Sequence, residues 1–139
     1  MMHRQQQDIL IVEDDAEISL VFKLFLIDEG FHVDVARNGL IAMDQVSEHR
    51  PDLILLDLHM PIMDGEAFAR RYRSEFGNDT PIVVITAVPP SGFETHIDNA
   101  QVLKKPVELD RLLEVVEQSL HGNGSSHGSI QPHHRSYYA

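Results

Sequence analysis

The sequence has no cysteine among its 139 residues, which excludes disulfides and metal sites with thiolate ligands. No apolar run approaches the roughly 20 residues that a helix needs to cross a bilayer. Residues 1–7 are polar and lack the apolar segment of a signal peptide. These absences favour a cytoplasmic protein without a membrane partner.

Positive charge is also scarce. The chain has 11 Lys and Arg residues against 22 Asp and Glu residues, a formal net charge of -11. This charge repels phosphate backbones, and no basic stripe compensates it. Arg70, Arg71 and Arg73 lie close in sequence, but helical spacing would spread them around the helix. We therefore predict that the chain does not bind nucleic acid.

The nine histidines show no spacing typical of a metal site. Four of them lie in the Gly- and Ser-rich end of the chain: His121, His127, His133 and His134. The others are scattered. The sequence thus gives no reason to predict a histidine-ligated metal.

Length and composition indicate a single globular domain, because 139 residues with 42% hydrophobic content support one core. We predict a polar extension over residues 1–7, a folded domain over residues 8–120 and a disordered tail over residues 121–139. No internal repeat is evident beyond the alternation described next.

Short apolar runs alternate with amphipathic segments along the domain. The runs predict five strands: Asp8–Val12, Phe31–Ala36, the run from Asp52 that delivers Asp57, Thr80–Ala87 and Gln101–Pro106. The amphipathic segments predict four helices: Ala16–Glu29, Asn38–Arg50, Glu66–Phe76 and Glu108–Leu120. Val88–Asn99 contains Pro89, Pro90 and Gly92, and it predicts a loop with at most a short helix. The alternation indicates an α/β fold with a parallel sheet.

Polar side chains stand where four of the five strands end. They are Glu13 and Asp14 after the first strand, Asp57 after the third, Thr86 after the fourth and Lys105 after the fifth. The carboxyl ends of parallel strands lie at one edge of the sheet, where ligands bind in such folds. We therefore expect these side chains to converge.

The converging groups indicate phosphoryl chemistry. Close carboxylates stay ionised only if a cation shares the site, and oxygen ligands without Cys or clustered His favour Mg²⁺. Lys105 would supply positive charge for phosphate oxygens, and Thr86 would supply a hydroxyl donor. A carboxylate can itself attack a phosphoryl group, and Asp57 is the natural nucleophile because its strand is central.

The same residues resemble the receiver domain of two-component response regulators. Ile9 to Asp14, Asp57 with Met60-Pro61 and Met63-Asp64-Gly65, Thr86-Ala87, and Lys105-Pro106 match that family's pattern in order and approximate spacing. The match covers about Asp8 to Leu120. The resemblance implies a flavodoxin-like, doubly wound sheet of five parallel strands in the order 2-1-3-4-5. The family's fourth helix lies between the fourth and fifth strands, which here is Val88–Asn99, and we expect it to be short or irregular.

The resemblance also implies the roles of the site residues. Asp57 would accept a phosphoryl group from a sensor histidine kinase or a histidine phosphotransfer protein. Lys105 would contact that group, and Thr86 would close on it as the switch. The domain would thus catalyse only its own phosphorylation and dephosphorylation, and would not be an enzyme acting on other substrates.

Magnesium would be the cofactor of this site. Asp14 and Asp57 would bind Mg²⁺ together with the backbone carbonyl of His59, while Glu13 would act through a coordinated water. Two roles remain open for Asp15, as the N-cap of the first helix or as a metal ligand, and the first is favoured.

Two features depart from the family pattern. The position three residues before the lysine, usually aromatic, is Val102, which has no ring to move between exposed and buried rotamers. The segment from Thr86 to Lys105 is also shorter than usual, so switching would rely on movement of Val88–Asn99. His59 and Val88 follow Asp57 and Thr86 by two residues, where they either tune attack by water or are ordinary loop residues.

The main reading is a signalling module that controls contacts with an unknown protein target and is a monomer when unphosphorylated. One alternative is a pseudo-receiver that binds partners without being phosphorylated. Another is a receiver that forms part of a larger hybrid kinase or regulator. A phosphatase of the haloacid-dehalogenase type is disfavoured because His59 stands where that family needs a second aspartate.

Overall fold

A computed structural model describes residues 6–60, 62–87 and 97–122 of the chain. The strands are β1 (Asp8–Val12), β2 (His32–Ala36), β3 (Leu53–Asp57), β4 (Ile82–Thr86) and β5 (Ala100–Lys104). The helices are α1 (Ala16–Asp28), α2 (Gly39–Glu48), α3 (Gly65–Phe76) and α4 (Leu109–Leu120). None of these helices is long and apolar enough to cross a membrane.

The five strands form one parallel sheet in the order β2-β1-β3-β4-β5. β3 lies at the centre, between β1 and β4, so the last residue of β3 has a strand on each side. This arrangement confirms the predicted α/β fold and strand order. Most of the short or irregular helix expected within Val88–Asn99, including Val88 itself, falls on residues 88–96, outside the described part of the chain. The N-terminal extension before Gln6 and the tail after Gly122 also lie outside it.

Both faces of the sheet are covered, which explains the uninterrupted apolar runs in the sequence. Along β1, Ile9 and Ile11 pack on the face shared with α1 and α4, whereas Leu10 and Val12 pack on the face shared with α2 and α3. Every residue of β3 and β4 is buried. The central strands are therefore held from two sides, and this fixes the position of Asp57 at the end of β3.

Side-chain caps set the start of three helices. Asp15 accepts hydrogen bonds from the backbone N–H groups of Glu17 and Ile18, at 2.9 and 3.0 Å. Asn38 caps α2 and Asp64 caps α3 in the same way. The capping role favoured for Asp15 is thus the one that the structure has.

Some apolar residues of the predicted helical stripes face solvent instead. Leu40 and Ile41 in α2 are exposed, because the buried face of that helix is formed by Gly39, Ala42, Met43 and Val46. On α1, the buried residues include Phe22 and Leu26. A second stripe of apolar side chains on this helix is exposed: Leu20, Val21, Leu24 and Ile27.

The start of α3 packs directly against the end of β3, and Gly65 makes this possible. A Cβ atom there would lie 2.7 Å from the Cα of Leu58 and would clash with the backbone carbonyl of Asp57. The Gly65 N–H also donates to the Leu58 carbonyl at 3.0 Å. The glycine thus allows the helix to approach the strand that carries Asp57.

We predict that Gly65→Ala lowers the free energy of unfolding by about 1–3 kcal/mol, since the new methyl group must displace backbone rather than a flexible side chain. Urea denaturation measures the change. Ser74→Ala, at an exposed position of the same helix, is the control and should stabilise the protein slightly through helix propensity. Equal stability of Gly65→Ala and the wild type would show that the close packing is not rigid.

Candidate phosphoryl and metal site

Three carboxylates meet at the carboxyl edge of the sheet. Glu13, Asp14 and Asp57 each place an oxygen so that all three atoms lie within 4.8 Å of one another. Glu13 and Asp57 are 3% and 5% exposed, whereas Asp14 is exposed to solvent. The convergence expected from the strand ends is therefore present.

Lys105 completes this cluster with one positive charge. Its Nζ lies 3.2 Å from Glu13 Oε1 and 3.8 Å from Asp57 Oδ1. The backbone places it there, because the Lys105 N–H donates to the carbonyl of Thr86 at 2.8 Å and so extends the pairing of β4 with β5. Lys105 also precedes Pro106 through a cis peptide bond.

Glu13 is fixed by backbone as well as by Lys105. Its N–H donates to the carbonyl of Ala36 at 3.0 Å, which continues the pairing of β1 with β2 by one residue. Its second carboxylate oxygen accepts from the N–H of Asp15 at 3.1 Å. The turn between β1 and α1 therefore orients this side chain toward the cluster.

Burial, and to a lesser extent the nearby charge of Asp57, raises the pKa of Glu13 to about 7. The Asp15 N–H and Lys105 act in the opposite direction but do not cancel the effect. Among the described residues three acids share one lysine, so negative charge exceeds positive charge in the cluster. A divalent cation would supply that charge, and oxygen donors at this spacing are the kind that Mg²⁺ prefers.

Asp57 occupies the end of β3 with its carboxylate at the cluster. One of its oxygens accepts a weak hydrogen bond, 3.3 Å long, from the backbone N–H of His59. The backbone at His59 is thus close to the Asp57 carboxylate, while the His59 residue as a whole is exposed to solvent. The expected metal contact of the His59 carbonyl stays a prediction.

Thr86 ends β4, between the strands that carry Asp57 and Lys105. It is fully buried, with 0% exposure. Val102 lies in β5 opposite Val84 and is 39% exposed. The structure therefore places the predicted switch residue inside the fold and leaves the position of the missing aromatic residue at the surface.

Sequence reasoning missed two contributions to this site. The Asp15 N–H donates to Glu13 in addition to the capping role of the Asp15 side chain. Gly65 permits the approach of α3 to the Asp57 strand, whereas the sequence showed it only as part of the Met63-Asp64-Gly65 motif. A backbone donor leaves no mark in the residue type, whereas a glycine directly after an N-capping aspartate could have suggested tight packing.

Comparisons with known proteins agree with this geometry. Residues 9–117 match the model of the family described as "Response regulator receiver domain". Response regulator MprA from Mycobacterium sp. strain KMS is 33% identical over 129 residues, covering 89% of this chain and 55% of that protein. The uncharacterized transcriptional regulatory protein YkoG of Bacillus subtilis strain 168 is 33% identical over 120 residues, covering 84% and 52%. The chain thus spans about half the length of these curated relatives.

Solved structures show the same fold. The chemotaxis protein CheY4 of Vibrio cholerae has a TM-score of 0.77 and 26% identity, with 83% of this chain and 99% of that chain covered. The response regulator TrrA of Thermotoga maritima, in complex with Mg(2+)-BeF, has a TM-score of 0.74 and 28% identity, with 82% and 99% covered. The chain belongs to the family of response regulator receiver domains of two-component signalling systems.

Proposed function

We propose that Asp57 accepts a phosphoryl group and that this modification changes the protein contacts of the domain. The observation that carries the proposal is the convergence of Asp57 with Glu13, Asp14 and Lys105 at one sheet edge. The family supports the same assignment.

The donor in this proposal is a phosphohistidine of a sensor kinase or a phosphotransfer protein. An Asp57 oxygen attacks phosphorus while the phosphorus–nitrogen bond breaks, and the electron pair returns to the imidazole, which then takes up a proton. The product is an aspartyl phosphate, which water later hydrolyses. Phosphoryl transfer of this kind depends on positioning and charge neutralisation more than on a strong base.

Asp14, Asp57 and the His59 carbonyl are proposed to hold Mg²⁺, with Glu13 acting through a water. The carboxylate cluster fits this ion because its donors are all oxygen. Bound Mg²⁺ would neutralise charge that develops on the phosphoryl oxygens. Lys105 lies near enough to Asp57 to contact the transferred group, and Thr86 would then shift toward it.

An exposed apolar stripe on α1 lies beside this site. α1 begins at Ala16, directly after the acidic turn, and exposes Leu20, Val21, Leu24 and Ile27. Contiguous apolar side chains of this kind mark protein contacts more often than isolated ones do. We propose that the phosphoryl donor packs on this stripe while it reaches Asp57.

The relatives also support a second possibility, in which this receiver serves as part of a longer regulator. One of them is named a transcriptional regulatory protein, and the chain matches about half of its length.

The predictions of a cytoplasmic location, a monomeric state, an absence of nucleic-acid binding and a non-enzymatic role stay predictions.

The phosphoacceptor can be tested by incubating the protein with acetyl phosphate and Mg²⁺ and measuring the intact mass. We expect one added phosphoryl group in the wild type, none without Mg²⁺ and none in Asp57→Asn, because the amide cannot act as the nucleophile.

Asp44→Asn is the control for that experiment, since Asp44 is exposed on α2 away from the cluster, and it should be phosphorylated like the wild type. If the wild type gains no phosphoryl group and beryllofluoride also leaves its amide NMR spectrum unchanged, the protein is a pseudo-receiver. Turnover of a generic phosphate ester would instead support a phosphatase.

The pKa of Glu13 predicts a pH-dependent stability when EDTA is present. Because the pKa rises from 4.5 to about 7 on folding, the stabilisation is complete below pH 4.5 and is lost as the pH rises toward 7. Glu13→Gln removes this titration. The stability of the variant relative to the wild type should therefore increase from pH 5 to pH 8, by up to about 3 kcal/mol.

Urea denaturation at each pH measures this difference. Adding Mg²⁺ should reduce it, because a cation beside Glu13 favours the ionised form and lowers the pKa of the carboxyl. Parallel stability curves for the variant and the wild type across this pH range would contradict the proposed burial of Glu13 in the acidic cluster.

A further inference from the structure

A second cluster of metal-ligating side chains lies at the amino ends of β1 and β2, opposite to the phosphoryl site. The carboxylate of Asp8 stands between two imidazoles, with His32 Nδ1 3.0 Å from Oδ1 and His49 Nε2 2.8 Å from Oδ2. Asp8 is the first residue of β1, His32 is its register partner on β2, and His49 is the C-cap of α2. Three elements thus bring one donor group each to the same place.

The surroundings of this cluster are acidic. Asp34 Oδ2 lies 4.0 Å from His32 Nδ1. Asp8, Asp34, Glu48 and His49 also line a cavity of about 240 Å³, and no Lys or Arg is among its lining residues. Negative charge therefore surrounds the two imidazoles, and nearby space can hold an ion with its water.

One further polar atom at the cavity lacks a partner among the described residues. Gln45 lines the cavity, and its amide nitrogen donates to the carbonyl of Val35 at 3.3 Å. Its Oε1 is buried and has no hydrogen bond. A hydrated cation in the cavity would provide a water as donor to this oxygen, which is otherwise costly to bury.

We propose that Asp8, His32 and His49 bind a divalent transition-metal ion of the zinc class. Zn²⁺ takes imidazole nitrogen and carboxylate oxygen at about 2.0–2.2 Å in a tetrahedral arrangement, which places neighbouring ligand atoms somewhat more than 3 Å apart. The two imidazole–carboxylate distances are close to that separation, but the three residues do not yet bring one ligand atom each within 4.8 Å of one another, as Glu13, Asp14 and Asp57 do. Asp34 or a water takes the fourth position.

Binding requires the two rings to turn toward each other, because they contact opposite oxygens of Asp8. Their exposure permits this, since the side chains of His32 and His49 are 53% and 63% accessible to solvent. Each ring then presents an unprotonated nitrogen to the ion, and the hydrogen atoms of the two hydrogen bonds are displaced to the other ring nitrogen or to solvent.

The two metal sites of the domain would select different ions. The carboxylate cluster at Asp57 offers only oxygen and suits Mg²⁺, whereas two imidazoles favour zinc and its neighbours in the transition series. An ion at the second site would also link β1, β2 and the end of α2. Occupancy should therefore raise the melting temperature of the whole domain, because the ion binds only the folded arrangement.

Zinc titration of the full chain, followed through the imidazole ¹⁵N resonances, tests the proposal. Excess Mg²⁺ occupies the carboxylate cluster during the experiment. We expect the His32 and His49 signals to shift together, with one dissociation constant and a stoichiometry of one ion. His49→Gln should weaken the zinc affinity measured at His32 by about tenfold or more. Losses of this size are found even when only a hydrogen-bond partner of a metal ligand is removed.

Two controls separate this site from other histidines. His121→Gln alters an exposed histidine at the end of α4 and should leave the His32 response unchanged. The triple variant His127→Asn, His133→Asn, His134→Asn removes competing ligands near the end of the chain and should also leave it unchanged. Amide spectra verify that each variant is folded.

Three results would overturn the proposal. The first is that zinc shifts neither His32 nor His49, and the second is that it shifts them with separate dissociation constants. The third is that His49→Gln changes the zinc affinity at His32 by less than about twofold, well short of the loss expected for a removed ligand. In each case the two imidazoles would be partners of Asp8 in hydrogen bonds alone.

Discussion

Repulsion among carboxylates at one edge of a parallel sheet is the constraint around which this domain is built. β1 and β3 run in the same direction and pair directly, so the acids that follow them must end side by side. A single lysine, carried in by β5, stands against three of them. The pKa of Glu13 is raised chiefly because its carboxyl is buried at this edge, and the charge of Asp57 adds to the effect.

The rest of the fold keeps these charges together. Two separate apolar clusters pack against the two faces of the sheet. The strands β3 and β4 are buried between them, so the backbone at Asp57 and Thr86 has little freedom to move. At the same edge, the Lys105 N–H is bound by the Thr86 carbonyl. Displacement of Thr86 would therefore pull on the backbone that carries Lys105, and the two groups proposed to contact the phosphoryl oxygens are mechanically joined.

The fold and the carboxylate site were largely predictable from the sequence, because both follow from local patterns. Apolar runs ending in Asp57 and Thr86 identify buried strands, and a parallel sheet then brings their ends together. Exposure of Leu40 was not predictable, because α2 has apolar residues on several sides and its sequence does not show which side packs against the sheet. The sequence showed Gly65 only as part of a motif, since the folded structure is needed to see which backbone atoms a methyl group there would meet.

The pairing of His32 with His49 was hidden for a related reason. Metal motifs are recognised by short spacing along one element, whereas these two histidines reach Asp8 from a strand and from the end of a helix. The two edges of the sheet now differ in how their acids are compensated. At the carboxyl edge the group beside the acids is a lysine, whose ammonium donates hydrogen bonds but does not ligate a metal, so an added cation must share the site with it. At the amino edge the groups beside Asp8 are imidazoles, whose nitrogens can ligate a metal. The same excess of acid can therefore serve phosphoryl chemistry at one edge and a second cation at the other, because the basic residue that accompanies it is different.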